Sequence, residues 1–347
     1  MKILILGNLG YIGPLVVERL RKSYPNAILV GFDIGYYAHA LTTISRLPET
    51  LLDVQYYGDV RTFPEDLMNG VVAVVYLAAI SNDPMGKEFE DITLDVNYRS
   101  AIYLAKLAKN KGAKSFIFAS SCSLYGFAES GLRNENSELN PLTAYAKSKT
   151  CAEQDLEPIA NDSFSITCLR FGTACGFSPR LRLDLVLNDF VANAITTGKI
   201  KILSDGKPWR PLIHIKDMAR AIDWAISRRV NNGGSCLSIN IGSNEWNYQV
   251  KELAEVVKLV IPNVDININH NTASDKRSYQ VDFSLFESIA PDFIPKVSLE
   301  EAVKDLQSGL ESIGFSDSNF RSSNLMRINM LKEHKRNGRL NEQLEWV

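Results

Sequence analysis

The chain has 347 residues, of which 45% are hydrophobic and 22% charged, so it is long enough for a large globular core with one or two lobes. Its formal net charge of −2 gives no electrostatic reason to bind nucleic acid or an anionic membrane. No apolar run approaches the length of a membrane span, the first predicted strand leaves no room for a signal peptide, and the cysteines form no C-x-x-C pair. We therefore predict a cytoplasmic protein with reduced thiols and without a metal site.

The first 33 residues carry a pattern typical of a dinucleotide-binding site. A predicted strand breaks into three glycines, Gly7, Gly10 and Gly13, and a second predicted strand is followed by Asp33. Gly7 would allow a sharp turn, Gly10 a close approach of backbone N–H groups to a pyrophosphate, and Gly13 close packing of helix on strand. Asp33 would bind the ribose hydroxyls of the adenosine half. Because the spacing is G-x-x-G-x-x-G, an ordinary strand–helix turn is the alternative.

Strands and helices alternate through the first two-thirds of the chain. Most of these strands are continuously apolar, which is typical of a parallel sheet buried under helices on both faces. The sequence therefore predicts a doubly wound α/β (Rossmann) fold. The predicted strands are 2–6, 27–32, 54–57, 71–77, 115–119 and 165–170, and the predicted helices are 11–23, 96–110 and 144–160.

The pattern changes after residue 176. A predicted helix ends at Thr197, and Asn247 is a candidate N-cap for a later helix. We predict a dinucleotide-binding domain at residues 1–176, a smaller substrate lobe at 177–320, a helical tail at 321–347, and a return of residues from about 205 to 245 to the first domain.

Two segments in the first domain contain candidate catalytic residues. Tyr145 and Lys149 are four residues apart, so on a helix they share one face. A nearby ammonium group, like an oxidised nicotinamide ring, would lower the pKa of the tyrosine and let it take a proton from an alcohol. Upstream, Ser121 follows a predicted parallel strand, whose carboxyl end faces the ligand crevice in such sheets. Exposed helix residues and a polar loop are the alternatives.

Together these features resemble the extended short-chain dehydrogenase/reductases that act on nucleotide sugars, the NAD-dependent epimerase/dehydratase family. The resemblance covers roughly residues 1–282 and implies NAD as cofactor and a nucleotide-diphosphate sugar as substrate. It implies that Ser121 hydrogen-bonds the reacting sugar oxygen, that Tyr145 is the acid/base, and that Lys149 also holds the nicotinamide ribose. The cofactor-binding residues that it implies are Gly7, Gly10, Tyr11, Ile12, Gly13, Asp33, Asp59, Val60, Leu77, Ala78, Ala79, Asn97, Tyr145 and Lys149.

The second half resembles the family more loosely. Relatives bind the nucleotide diphosphate through an asparagine and arginines, because the planar guanidinium group forms bidentate hydrogen bonds with phosphate. Arg180 and Arg182 stand in a loop that normally lines the sugar site, with solvated surface arginines as the alternative. The substrate-binding residues that the resemblance implies are Ser121, Cys122, Ser123, Tyr145, Arg180, Arg182, Asn188, Arg210 and Arg277.

Two positions distinguish among the reactions of the family. Members usually move a hydride from C4 of the sugar to NAD, and the 4,6-dehydratases carry an Asp-Glu pair where this chain has Cys122 and Ser123. Asp33 is followed by no basic residue that could bind a 2′-phosphate, which favours NAD over NADP. We expect a C4 epimerase. A 4-dehydrogenase or 4-keto-sugar reductase is the alternative, and a 4,6-dehydratase or a non-catalytic NAD-binding regulator is a further one.

The resemblance also implies a homodimer in which each subunit contributes two helices to a four-helix bundle. These helices are the predicted ones at 96–110 and 144–160. The first has apolar residues around much of its surface, so one face could pack on the sheet and another on a partner, unless a monomer buries both. The apolar residues are Val96, Ala101, Leu104, Ala105, Leu107 and Ala108.

Overall fold

A parallel sheet of seven strands forms the centre of the structure, a computed structural model in which residues 1–42, 46–269 and 277–347 are described. The strands are β1 (Lys2–Leu6), β2 (Ile28–Asp33), β3 (Val54–Tyr57), β4 (Val71–Tyr76), β5 (Ser115–Ser121), β6 (Phe127–Arg133), β7 (Ser165–Phe171), β8 (Thr173–Cys175), β9 (Lys199–Ile202), β10 (Trp209–His214), β11 (Cys236–Ile241), β12 (Asn247–Gln249), β13 (Asp265–Ile268) and β14 (Ser278–Val281). The helices are α1 (Gly13–Ser23), α2 (Asp83–Glu88), α3 (Glu90–Leu94), α4 (Ser100–Asn110), α5 (Ala144–Leu156), α6 (Val186–Thr197), α7 (Ile215–Ser227), α8 (Val250–Val260), α9 (Ser284–Ile289), α10 (Leu299–Ser312) and α11 (Arg327–Arg336).

The central sheet has the strand order β3-β2-β1-β4-β5-β7-β11, and every neighbouring pair is parallel. The predicted doubly wound α/β fold is therefore confirmed. The chain moves outward in one direction from β1 to β3 and in the other direction from β4 onward. Ligands of such sheets bind at this switch point, beyond the carboxyl ends of the strands.

The alternation of side chains along β1 shows how the core is divided. Ile3 and Ile5 belong to one hydrophobic cluster, which also contains the buried faces of α1, α7 and α10. Leu4 and Leu6 belong to the other cluster, with α4, α5 and α11. Because successive side chains of a strand point to opposite faces, helices cover the sheet on both sides. A π-helical turn, Asp95–Arg99, joins α3 to α4.

The region around α8 differs from its prediction. Asn247 lies in β12, opposite Pro211 of β10, and its amide exchanges two hydrogen bonds with the backbone of Val281 at 2.8 and 2.9 Å. Its side chain is thus committed to a neighbouring strand, so the prediction that Asn247 caps the helix is wrong. The N-cap is Gln249, which forms a capping box with Glu252.

The apolar face of α4 that was expected to meet a partner is already used within the subunit. The six apolar residues from Val96 to Ala108 are at most 8% exposed, because they pack against the sheet and α5. The prediction of a second, free apolar face is therefore wrong. The outer face of this segment carries Ile102 and the exposed Tyr103 instead.

The carboxyl-terminal residues pack on the body of the subunit. Helix α11 covers Arg327–Arg336, and the remaining residues turn back without forming a helix. Leu331, Leu340 and Leu344 are buried in the same cluster as α4 and α5. Within the described ranges, the helices are too short or too polar to cross a bilayer.

Candidate active site

The glycine-rich turn between β1 and α1 leaves no room for side chains at two of its three glycines. Gly7 has a φ of +90°, and a Cβ atom there would stand 2.4 Å from the backbone nitrogen of Ala78. A Cβ atom on Gly13 would stand 2.0 Å from the carbonyl oxygen of Asn8, so Gly13 permits packing on the turn itself rather than on a strand. At Gly10 the nearest such distance is 3.4 Å, so its bare backbone is open to the close approach of a ligand.

Tyr11 and Ile12 connect the turn to helix α1. Ile12 is the N-cap residue, so the backbone at this position belongs to the positive end of the helix, where an anion is stabilised. The Tyr11 hydroxyl donates to the carbonyl of Gly176 at 2.6 Å and accepts from Asn188 at 2.9 Å. Asn188 is fully buried, with further hydrogen bonds to the backbone of Gly176 and Arg182. Its amide supports the turn and does not face a substrate, contrary to the expectation.

Asp33 ends strand β2 beside the turn. Its carboxylate accepts the N–H groups of Leu9 and Gly35 at 2.9 and 2.7 Å. Burial raises the pKa of Asp33, while these two hydrogen bonds act in the opposite direction. The acid therefore fixes the turn against β2 and stands where a ribose would reach it.

A cavity of about 560 Å³ opens beyond Asp33, at the carboxyl ends of β2 and β3. Asp59 faces it, and its carboxylate forms an ion pair with Arg61 at 2.5 Å. Val60 is buried behind it. The bare turn, the acid and a cavity of this size fit a dinucleotide with its adenosine half in the cavity. The lining residues are Ile34, Gly35, Tyr57, Gly58, Asp59, Thr62, Glu345 and Trp346.

The other wall of the crevice is the segment that follows β4, residues 77–79, which are all partly exposed. Asn97 holds this segment from below: its amide exchanges hydrogen bonds with the backbone of Ile80 at 2.8 and 3.1 Å and donates to Ser148 at 3.1 Å. Because Asn97 is fully buried, it positions the segment and does not present its amide to a cofactor, contrary to the expectation.

Ser121, Tyr145 and Lys149 come together at the carboxyl end of β5. Thr143 caps helix α5 by accepting the N–H of Ala146 at 3.2 Å, so Tyr145 lies in the first turn and Lys149 one turn later. The Ser121 hydroxyl lies close enough to Tyr145 to act on the pKa of its phenol. The Lys149 ammonium nitrogen donates to the carbonyl of Ala119 at 2.7 Å and lies 5.7 Å from the centre of the Tyr145 ring.

The charges at this centre are set by burial. Burial raises the pKa of Tyr145 to about 12, and the Ser121 hydroxyl and the Arg182 charge act in the opposite direction. Burial also lowers the pKa of Lys149 to about 7. The expectation that the lysine lowers the pKa of the tyrosine is therefore not met in the chain without cofactor, because removal from water outweighs the nearby charges.

The two residues after Ser121 differ in their hydrogen bonding. Cys122 is fully buried, and its thiol donates to the carbonyl of Arg170 at 3.0 Å. Burial raises the pKa of this thiol, so it remains protonated and does not face a sugar, contrary to the expectation. The Ser123 hydroxyl is buried without a protein partner among the described residues, which leaves it able to bind a substrate hydroxyl.

The predicted substrate arginines fall into two groups. Arg182 is buried and pairs with Asp184 at 2.5 Å, and Arg277 pairs with Asp83. The charges of Arg182 and Asp83 both act on Tyr145, so these two pairs lie near the catalytic centre. Arg210 also belongs to this side, since it donates to the backbone carbonyl of Arg277.

Arg180 belongs to the second group. It is 2% exposed, pairs with Glu49 at 2.6 Å and donates to the carbonyl of Ala38 at 3.2 Å. Its electrostatic effect reaches Asp33, so it lies beneath the adenosine end rather than at the sugar. The expectation of a sugar-site residue and its alternative, a solvated surface arginine, are both wrong here.

Sequence reasoning missed several residues that shape the site. Glu153, one turn beyond Lys149 on α5, is buried and pairs with Arg170 at 2.6 Å. Its spacing from Lys149 was a usable signal. Gly86 lets α2 approach the first turn of α5, because a Cβ atom there would stand 3.2 Å from the Tyr145 nitrogen. Trp346 lines the cavity from the opposite end of the chain, and no local pattern indicates that contact.

Comparison with known proteins gives a consistent result. The sequence model of a family described as "NAD dependent epimerase/dehydratase family" matches residues 3–242. The chain is 25% identical over 322 residues to "Uncharacterized UDP-glucose epimerase YtcB" of Bacillus subtilis (strain 168), covering 90% of this chain and 99% of the relative. It is 24% identical over 313 residues to "UDP-glucuronic acid decarboxylase 6" of Arabidopsis thaliana, covering 87% of each.

Among solved structures, the chain is similar to "MoeE5 in complex with UDP-glucose and NAD". The TM-score is 0.76 at 22% identity, and the match covers 90% of this chain and 99% of that one. This similarity shows the shared fold.

Proposed function

Because the chain belongs to the NAD-dependent epimerase/dehydratase family, we propose that it is an NAD-dependent epimerase of a nucleotide-diphosphate sugar that acts at C4. The observation that carries this proposal is the juxtaposition of Ser121, Tyr145 and Lys149 at the mouth of a dinucleotide crevice. Such a centre can remove a proton from a sugar hydroxyl and return it.

Each residue of this centre has a distinct part in the proposed reaction. Ser121 holds the C4 oxygen of the sugar, and Tyr145 takes the proton from that oxygen and later gives it back. Bound NAD supplies the hydride acceptor and donor and a positive charge that favours the Tyr145 phenolate. Lys149 adds its own positive charge when it is protonated and holds the nicotinamide ribose. Rotation of the keto sugar between the two steps inverts C4, and no net oxidation results.

The turn and its neighbours fit the cofactor. We propose that Gly10 lets the pyrophosphate approach the backbone at the start of α1, where Ile12 presents its N–H group. We also propose that Asp33 binds the adenosine ribose and that Asp59 stands near the adenine. The carboxylate of Asp33 disfavours the 2′-phosphate of NADP, since two negative charges would approach closely.

The charged residues around Tyr145 indicate which side chains bind the substrate. We propose that Arg210 and Arg277 bind the diphosphate and that Arg182 and the Ser123 hydroxyl bind the sugar. The ion pairs of Arg182 with Asp184 and of Arg277 with Asp83 keep these buried or half-buried cations neutralised before substrate arrives. Ser123 offers a hydroxyl and no carboxylate, which favours an epimerase over a 4,6-dehydratase because removal of water requires further acid/base groups.

The purified enzyme, tested on UDP-, dTDP-, GDP- and CDP-sugars first without added cofactor and then with added NAD or NADPH, distinguishes the reactions. Without added cofactor, we expect NMR to show that the enzyme forms the C4 epimer with the NAD it has retained. The Tyr145→Phe variant is the control, and it should form almost no epimer under the same conditions. Turnover that requires added NADPH would identify a keto-sugar reductase, net formation of NADH a dehydrogenase, and loss of carbon dioxide from UDP-glucuronate a decarboxylase. Each of these outcomes contradicts the proposal.

We also propose that the enzyme is a cytoplasmic homodimer. Its five cysteines are free thiols, which suits a reducing compartment. Because the apolar residues of α4 are buried within the subunit, the proposed interface uses the outer face of the segment from the π turn through α4, together with α5. That face carries Tyr98, Ile102 and Tyr103, with Cys151 on α5.

A further inference from the structure

The last residues of the chain fold against the adenosine end of the cofactor crevice. A β-bridge between Leu340 and Trp346 closes this carboxyl-terminal loop, residues 340–346. Its buried anchor is Leu344, whose carbonyl accepts the Tyr36 hydroxyl, and the Gln343 carbonyl accepts a hydrogen bond from Arg61 at 2.8 Å. The loop is therefore attached to both segments that flank the cavity, the one after β2 and the one after β3.

Backbone geometry indicates that this attachment is specific. Leu344 has a φ of +55°, in the left-handed region, and its side chain is fully buried. A bulky non-glycine residue pays a conformational penalty in that region, so it persists there only where the surrounding contacts hold it. Burial of Leu344 and the Tyr36 hydrogen bond provide those contacts.

Trp346 presents a fixed aromatic surface to the cavity. Its indole N–H donates to the carbonyl of Ile34 at 2.6 Å, and its ring packs against Tyr36 and His334 at 5.9 and 5.1 Å between ring centres. The side chain is nevertheless 44% exposed and lines the cavity beside Gly58 and Asp59. The indole is thus oriented by the protein on one part of its surface and open on another.

We propose that the carboxyl-terminal loop forms the outer wall of the adenosine subsite and that the indole of Trp346 stacks on the adenine base of NAD. Asp33 marks the ribose position, and the cavity continues outward from it to Trp346. A purine has a π face that an aromatic side chain can cover, and such stacking contributes substantially to the binding of a base. The inference concerns cofactor binding and is independent of which sugar reaction the enzyme performs.

Calorimetric titration with NAD⁺ and with ADP-ribose tests the stacking directly, because ADP-ribose contains the adenosine half without nicotinamide. Trp346→Ala should raise the dissociation constants of both ligands by a similar factor of roughly ten, as expected for the loss of one base–aromatic stack. Trp346→Phe, which keeps an aromatic face, should bind both within about threefold of the parent on the same reasoning. Val347→Ala, a change at the exposed neighbour, should bind like the parent.

Parent-like binding of both ligands by Trp346→Ala would overturn the proposal, as would an equal loss in the Ala and Phe variants. Melting temperatures without ligand identify a variant that is damaged in its fold. If the fold of Trp346→Ala is damaged, tryptophan fluorescence tests the stacking instead. ADP-ribose should quench the fluorescence of the parent more than that of Trp346→Phe. Equal quenching in the two proteins would contradict the stacking.

Discussion

Tyr145 illustrates how strongly one side chain depends on what surrounds it. Burial raises its pKa to about 12, while the Ser121 hydroxyl and the charge of Arg182 act against that rise. The phenol is therefore protonated at neutral pH in the chain without cofactor. Its role as a base requires additional positive charge, and Lys149 is positioned on the same helix face to contribute it.

Replacing Tyr145 by phenylalanine tests the assignment of the acid/base. The ring and its packing remain, but the proton-transfer group is lost, so kcat should fall by about 10²–10⁴, the usual contribution of a positioned acid/base. NAD affinity, measured by titration, should change little. The control is Tyr103→Phe, which removes an exposed hydroxyl bonded to Glu65. Near-parental kcat in Tyr145→Phe would show that another group transfers the proton.

Lys149 gives a prediction about stability and pH. Burial lowers its pKa to about 7, whereas an unfolded lysine has a pKa of about 10.4. Between these pH values the unfolded chain binds more protons at this residue than the folded chain does, so this residue's contribution to stability rises with pH. The cost of burying the lysine is therefore greatest at pH 7 and below.

Lys149→Met keeps the length of the side chain and removes that cost. Without NAD, the variant should melt at a higher temperature than the parent at pH 7, and the difference should shrink as the pH rises toward 10. Differential scanning calorimetry at several pH values measures this, with the exposed Lys147→Met as the matched control. A melting-temperature difference between Lys149→Met and the parent that stays constant from pH 7 to 10 would contradict this account of the buried lysine.

At the scale of elements, two glycines of the glycine-rich turn are needed for different reasons: Gly13 for folding and Gly10 for binding of the cofactor. A methyl group on Gly13 would collide with the carbonyl oxygen of Asn8, so Gly13→Ala should lower both the melting temperature and NAD binding. Gly10→Ala meets no protein atom closer than 3.4 Å, so it should melt like the parent. Its NAD affinity should nevertheless fall by about tenfold, a loss of roughly 1.4 kcal/mol, because the methyl group occupies the path of the pyrophosphate. If Gly10→Ala binds NAD normally, the turn does not hold the pyrophosphate as proposed.

The sequence predicted those elements whose cause is local. Strands β1 and β3 begin and end where they were predicted, at Lys2–Leu6 and Val54–Tyr57. Both are short runs rich in aliphatic or aromatic residues that are followed directly by a glycine. The sequence also contained the Ser298–Glu301 capping box that starts α10, a signal that was available and unused. Asn247 was misassigned because its partner, Val281, is distant in sequence.

The candidate site also contains residues whose positions follow from local pattern and residues whose positions depend on distant contacts. Helix spacing predicted that Tyr145 and Lys149 share a face, and the end of a parallel strand predicted that Ser121 faces the crevice. The family resemblance implied that the three residues form one site. Whether a polar residue faces a ligand or the core depends on tertiary packing. Cys122, Asn188 and Arg180 were therefore expected at the substrate but are buried against the protein. The contact of Trp346 with Ile34 joins opposite ends of the chain.

At the scale of the whole molecule, the proposed dimer depends on the outer face of α4 and α5. Ile102 lies on that face and is partly exposed, so Ile102→Glu should favour the monomer by placing like charges on both sides of a two-fold axis. Light scattering over a dilution series should show a dimer for the parent and a monomer for the variant. Lys258→Glu, at an exposed position on α8, is a control for added charge away from this face. A parent chain that is monomeric at every concentration would exclude the dimer.

The proposed reaction makes one demand of the molecule as a whole: the hydride removed from the sugar must return to the same carbon. The most direct measurement follows deuterium placed at C4 of the nucleotide sugar that the enzyme turns over, with no external cofactor, by NMR and mass spectrometry. An epimerase predicts that both C4 epimers retain the deuterium at C4 and that solvent hydrogen does not replace it. Loss of the deuterium from the sugar, or inversion at a carbon other than C4, would contradict epimerisation at C4.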